Sequence, residues 1–137
     1  MTTDIPQAIL ELLSRKSAST RIAVIGASNN PEKYGNIIVK NLSGKGYTVL
    51  PVNPREEEIA GLSAFSSTDA LPDPVHLVNL VTPPKVSASV IENLDPVRFK
   101  ALWFQDGSFN DAIISRAQER FDVVIYNACI MVVANYP

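Results

Sequence analysis

The sequence predicts an α/β domain built on a doubly wound, parallel five-stranded sheet with helices on both faces. Three observations predict it. Short apolar runs recur at 22–25, 47–52, 75–81, 101–104 and 123–126, with stretches of helical periodicity between most of them. The third run, carrying Val75, Leu77, Val78, Leu80 and Val81, is almost wholly apolar, as strands covered on both faces are. The first run ends at Gly26 and a helical pattern begins near Gly35, giving the strand, glycine turn and helix of a nucleotide-binding βαβ unit.

Each element has a local reason. Ile5, Ala8, Ile9, Leu12 and Leu13 repeat at the spacing of one helical face, with Asp4 as N-cap and Gln7 three residues on, so a leading amphipathic helix covers part of the sheet. Residues 14–20 are small and polar and form its exit. The helix from Gly35 closes at Gly44 and Gly46. The second strand, 47–52, is interrupted by Pro51 and ends at Asn53-Pro54; residues 61–74 read as loop with one helical turn around 68–71. Thr82-Pro83-Pro84 opens a helix, because proline suits a first turn, and Val86, Val90, Ile91 and Leu94 form its buried stripe up to Asp95-Pro96. Ser108 with Asp111 makes a capping box for the next helix, whose inner face is Phe109, Ala112, Ile113 and Ala117. No repeat or second domain interrupts the pattern, so residues 1–137 read as a single domain.

Bulk properties narrow the function. A chain of 137 residues with 46% apolar and 19% charged residues is an ordinary globular composition. The net charge of −2 gives no general attraction to nucleic acid or an anionic membrane, so any anion site is local. One cysteine allows no internal disulfide and suits a reducing compartment. Asp4 and Glu11 break up the N-terminal apolar residues, which argues against a signal peptide, and no apolar run nears the roughly 20 residues of a membrane span. The cytoplasm is the expected location.

The expected strand order is 3-2-1-4-5, with ligands bound outside the carboxyl ends of the strands. Those ends are Gly26-Ala27-Ser28, Asn53-Pro54-Arg55, Thr82-Pro83-Pro84 and Gln105-Asp106-Gly107, all polar or backbone-exposing. Gly26 lets the chain turn off the strand and makes room where a Cβ would intrude on a ligand. The helix near Gly35 aims its free amides and dipole at the loop, a seat for phosphate. An NAD site needs an acidic residue at the end of the second strand; Asn53, Pro54 and Arg55 stand there instead, leaving NADP, coenzyme A or another phosphorylated adenosine.

VIGAS-N-P-KYG, then G-Y-V-PVNP, V-PP, W-Q-G and N-C follow one another over residues 22–129. In this order they resemble the small stand-alone CoA-binding proteins. Those share the CoA-binding domain of the succinyl-CoA synthetase α-subunit and of ADP-forming acyl-CoA synthetases. The resemblance implies a Rossmann-like domain that takes coenzyme A or an acyl-CoA through its adenosine and phosphates. By position it places Gly26, Ala27, Ser28, Lys33, Tyr34 and Gly35 on the phosphates. Asn53, Pro54 and Arg55 fall on the adenosine side, Val81, Thr82, Pro83 and Pro84 along the pantetheine or adenine path, and Gln105 and Gly107 at the rim. The relatives often carry Val-Asp where this chain has Val75-His76, so no role tied to that carboxylate transfers.

No catalytic group stands out. His76, the only histidine, lies at the start of an apolar strand and reads as a packed, hydrogen-bonded residue. Cys129 has no neighbouring cation or second cysteine to lower its pKa and reads as a buried structural thiol. Their separation gives no metal-ligand spacing, and neither a Ser-His-Asp set nor a basic aromatic patch is present. The leading expectation is a non-covalent CoA-binding module acting alone, as a homo-oligomer or with a synthetase-like partner chain. The alternatives are an NADP-linked oxidoreductase, a CoA-dependent enzyme, a detached subunit of an acyl-CoA synthetase, or a sensor of the CoA pool.

Overall fold

The computed structural model describes residues 5–135. Its elements in chain order are α1 (Gln7–Ser14), β1 (Arg21–Ile25), α2 (Tyr34–Gly44), β2 (Thr48–Val52), β3 (Glu58–Ile59), β4 (Leu62–Ser63), a 3-10 turn (Thr68–Ala70), β5 (Leu77–Leu80), α3 (Pro84–Asn93), β6 (Ala101–Phe104), α4 (Asp111–Arg120), β7 (Val123–Ile125) and α5 (Ile130–Val133). Five of the strands form one parallel sheet, with β3 and β4 a separate antiparallel hairpin.

Side-chain alternation divides the core in two. On β1, Ile22 and Val24 face one side with Ile9, Leu13, Ile38, Leu42 and Ile130, from α1, α2 and α5. Ala23 and Ile25 face the other with Ile91 of α3, Leu94 just after it, and Ile113 and Ala117 of α4. The central strands are therefore apolar on both sides, as their near-continuous hydrophobic runs require. Burial of this kind stabilises by roughly 25 cal/mol per Å² of apolar surface removed from water.

The strand order corrects one expectation. The sheet runs β2-β1-β5-β6-β7, which is 2-1-3-4-5 in its own strands and not 3-2-1-4-5. The cause lies after β2. Phe65 forms a parallel bridge to Val52, its amide donating to Pro51 O at 2.8 Å and its carbonyl accepting from Asn53 N at 2.9 Å. That bridge takes up the outer edge of β2, so β5 joins β1 on the opposite side, where Val24 aligns with Asn79. Pro51 does not interrupt β2 but lies within it, a position open to proline because β2 is the last full strand of the sheet. The reversal of strand order, and with it the ligand crevice, falls between β1 and β5.

Several helix expectations change in detail. The proposed cap Asp4 lies outside the described residues, and α1 begins after Pro6. Helix α4 is capped by Asn110, whose Oδ1 accepts the Ile113 amide at 2.9 Å, whereas Ser108 is buried and donates its hydroxyl to Gln105 O at 2.6 Å. The helix starts too late for Ser108 to reach it. Its inner face is Ile113, Ile114 and Ala117, with Ala112 exposed. On α3, Ser87 and Ile91 are buried while Val86 is 45% exposed, which turns the predicted stripe part-way toward solvent. No helix among the described residues is long and apolar enough to cross a membrane.

Candidate functional site

The site begins where β1 runs out. Gly26 adopts φ +94°, and its amide donates to Val52 O at 3.3 Å, joining the ends of β1 and β2. A Cβ on Gly26 would lie 3.0 Å from Thr82 Cγ2 and 3.2 Å from the Thr82 amide nitrogen. The missing side chain thus makes room for the chain's own backbone leaving β5. Gly35, in the first turn of α2, is packed more tightly still, against the carbonyl oxygen of Gly26.

Between the two glycines the loop is tied down by asparagines. Asn53 Nδ2 donates to Ala27 O at 2.8 Å, and Asn36 Nδ2 to Ser28 O at 2.9 Å. Asn29 Nδ2 donates to Glu58 O at 2.7 Å and Glu56 Oε2 at 3.0 Å, while its Oδ1 accepts the Ala60 amide at 3.2 Å. The loop is therefore clamped to β2, α2 and the β3–β4 hairpin at once. Ser28 Oγ accepts the Asn30 amide at 3.0 Å, and Thr82 Oγ1 pairs with Ser87 Oγ at 2.7 Å.

Two adjoining cavities open on this scaffold and share Gly26, Asn53 and Thr82. One, of about 370 Å³, is lined by Gly26, Ala27, Ser28, Lys33, Tyr34, Gly35, Asn53, Val81, Thr82 and Pro83. The first-turn amides of α2 border it, and such amides have no acceptor within the helix. The other, of about 300 Å³, runs between β2 and α3 and is mainly aliphatic, with Ile25, Val52, Pro54, Val86 and Val90 beside Ser66, Ser67, Thr68, Ser89 and Asn93. Both fall at the lower end of the range for small-ligand sites, and together they form one elongated cleft.

Eleven of the residues singled out from sequence, Gly26, Ala27, Ser28, Lys33, Tyr34, Gly35, Asn53, Pro54, Val81, Thr82 and Pro83, line one cavity or the other. Arg55 lines neither; it is exposed, and its amide donates to Asn53 Oδ1 at 2.8 Å. Gln105 is buried and points inward, accepting the Ile130 amide at 3.1 Å and reaching Cys129 Sγ at 3.6 Å. Gly107 forms the turn after it at φ +86°. The residues missed from the sequence are the 66–68 segment, Ser89 and Asn93, the apolar Ile25, Val52, Val86 and Val90, which read only as core, and Asn36 and Asn29, which hold the loop without lining the cavities.

Two residues weighed as chemical groups lie elsewhere. His76 precedes β5, at the sheet end opposite the cleft, and its Nδ1 accepts the Arg21 amide at 3.0 Å. That is the packed, hydrogen-bonded role expected of it. Cys129 is partly exposed rather than buried, at the start of α5.

Residues 20–135 match the family described as CoA binding domain. The uncharacterized protein YneT of Bacillus subtilis is 32% identical over 124 residues, which cover 90% of each chain. The acetate–CoA ligase (ADP-forming) II subunit alpha of Pyrococcus furiosus is 48% identical over 73 residues, 52% of this chain but 16% of that subunit. The chain thus corresponds to a small part of that relative's length. Among solved structures, a conserved hypothetical protein from Pyrococcus furiosus superposes with a TM-score of 0.77 at 43% identity, covering 82% of this chain and 97% of the other.

Proposed function

The chain belongs to the CoA-binding domain family, and from that membership we propose that it binds coenzyme A or an acyl-CoA non-covalently in the cleft at the carboxyl ends of β1, β2 and β5, with no catalysis of its own. The observation that carries the proposal is the pairing of unlike cavities across Gly26, Asn53 and Thr82. The amide-bordered cavity suits the diphosphate, because a helix N-terminus favours negative charge. The aliphatic cavity suits the flat, apolar adenine, with Ser66, Ser67, Thr68 and Asn93 available to its ring nitrogens. Pantetheine leaves along Val81 to Pro83.

NADP is the less favoured ligand, since the family that the chain matches is described as CoA binding. Calorimetric titration decides: CoA should bind and NADP bind more weakly, whereas no heat with CoA at millimolar concentration would exclude the reading.

A second reading has one observation in its favour, the 48% identity to part of an acetate–CoA ligase subunit. On that reading the domain presents CoA to a partner chain that supplies the chemistry. Co-purification with a synthetase-like subunit, and acyl-CoA formation only by the mixture, would distinguish it from the stand-alone module.

A further inference from the structure

Two asparagine side chains set the backbone on either side of Ser28. Asn53 holds the Ala27 carbonyl at 2.8 Å and Asn36 the Ser28 carbonyl at 2.9 Å. Asn53 is itself oriented, because its Oδ1 accepts the Arg55 amide at 2.8 Å. Asn36, in the first turn of α2, is 3% exposed. Both peptide bonds are trans, so in each plane the N–H points opposite to the carbonyl oxygen. Fixing the Ala27 oxygen on Asn53 therefore aims the Ser28 N–H away from the end of β2. Fixing the Ser28 oxygen on Asn36 keeps that oxygen against the helix. Among the described residues, the amides of Ser28, Tyr34 and Gly35 have no acceptor, and all three residues line the 370 Å³ cavity.

Resting on the CoA reading above, we infer that Asn36 and Asn53 are positioning residues for the ligand's diphosphate. They draw two carbonyl oxygens off the cavity and leave the Ser28 amide for the anion. A carbonyl oxygen turned toward a diphosphate repels it, whereas an amide proton in the same place makes a charge-assisted hydrogen bond. Lys33 and Arg55 are both exposed, so the amides, not a buried cation, supply the fixed positive end of the cleft.

The test uses the full chain, ¹⁵N-labelled, with Asn36→Ala and Asn53→Ala variants, titrated with CoA and with adenosine 3′-phosphate, which lacks the diphosphate. In the unsubstituted chain the Ser28 amide resonance should shift downfield with CoA and not with adenosine 3′-phosphate. Each variant should lose about tenfold or more in CoA affinity and less than about twofold for adenosine 3′-phosphate. Equal losses for the two ligands would mean general damage to the cleft and overturn the inference. So would a Ser28 amide that stays still while neighbouring resonances move, a result independent of whether the variants fold. An unsubstituted chain that binds no CoA removes the cleft reading and this inference together; CoA binding that both variants retain in full removes this inference alone.

Discussion

A methyl group on Gly35 would overlap the carbonyl oxygen of Gly26, so the first turn of α2 rests directly on the turn that ends β1. The contact is backbone against backbone, and no flexible side chain can give way. Replacing glycine by alanine inside a helix ordinarily gains up to about 1 kcal/mol. At Gly35 the overlap should outweigh that gain, and Gly35→Ala should lose about 1–3 kcal/mol or more, as overpacked sites do. Gly44 is the control, because nothing lies within 4 Å of a Cβ built there. Gly44→Ala should be neutral or gain up to about 1 kcal/mol. Urea unfolding of both variants checks the pair, and equal effects would mean that the close approach is not what Gly35 is for.

Val86 separates binding from stability. It is 45% exposed, yet it lines the aliphatic cavity. Val86→Asp should leave unfolding within about 0.5 kcal/mol of the parent, as exposed positions do. The same change should weaken CoA about tenfold or more, because the ligand would have to bury an unpaired carboxylate. Calorimetry beside thermal unfolding reads both quantities, and unchanged CoA affinity would remove the adenine from this cavity.

That residue also marks how far the sequence is legible. The spacing of Val86, Val90, Ile91 and Leu94 predicts a helix in the right place, but periodicity cannot tell an apolar face on the core from one facing an open cleft. The β1–Gly26–α2 unit is legible because apolar run, glycine and helix each have a local cause. The position of β5 is not. It depends on Phe65 taking up the edge of β2, a pairing made by a loop without strand periodicity. Asn36 is hidden for a similar reason: its role is a hydrogen bond to a carbonyl eight residues earlier, which leaves no pattern in the chain. Gln105 has the opposite fate, standing at a strand's carboxyl end as cleft residues do and yet turned inward to Ile130.

Arg55 tests the far end of the ligand. It is exposed beside Pro54 on the cleft's β2 side, and none of the ion pairs among the described residues involves it, although three glutamates follow it in sequence. Glu56 instead accepts from Asn29. A guanidinium in this position can reach a phosphate outside the cavities. Arg55→Ala should therefore weaken CoA about tenfold while dephospho-CoA, which lacks the 3′-phosphate, changes little. Parallel losses for the two ligands would place the 3′-phosphate elsewhere.

The α3–α4 face supplies a pH dependence whose sign is fixed. Arg116 holds Glu92 with two hydrogen bonds, Nε to Oε2 at 2.6 Å and Nη2 to Oε1 at 2.9 Å, and reaches Glu119 Oε2 at 3.1 Å. The hydrogen bonds from Arg116, opposed by desolvation and aided by the charges of Arg116 and Arg120, lower the Glu92 pKa below the ordinary 4.5. A depressed carboxylate pKa means that the folded state binds the proton less readily than the unfolded one. The pair's contribution is therefore complete above pH 4.5 and is lost as the pH falls through the lower folded value. Both side chains are solvent-exposed, so the contribution is small and shrinks with added salt. Glu92→Gln keeps the shape and removes the charge. Its thermal midpoint should lie below the parent's at neutral pH and converge with it in acid, and a gap that stays constant across that range would show that the ion pair contributes nothing.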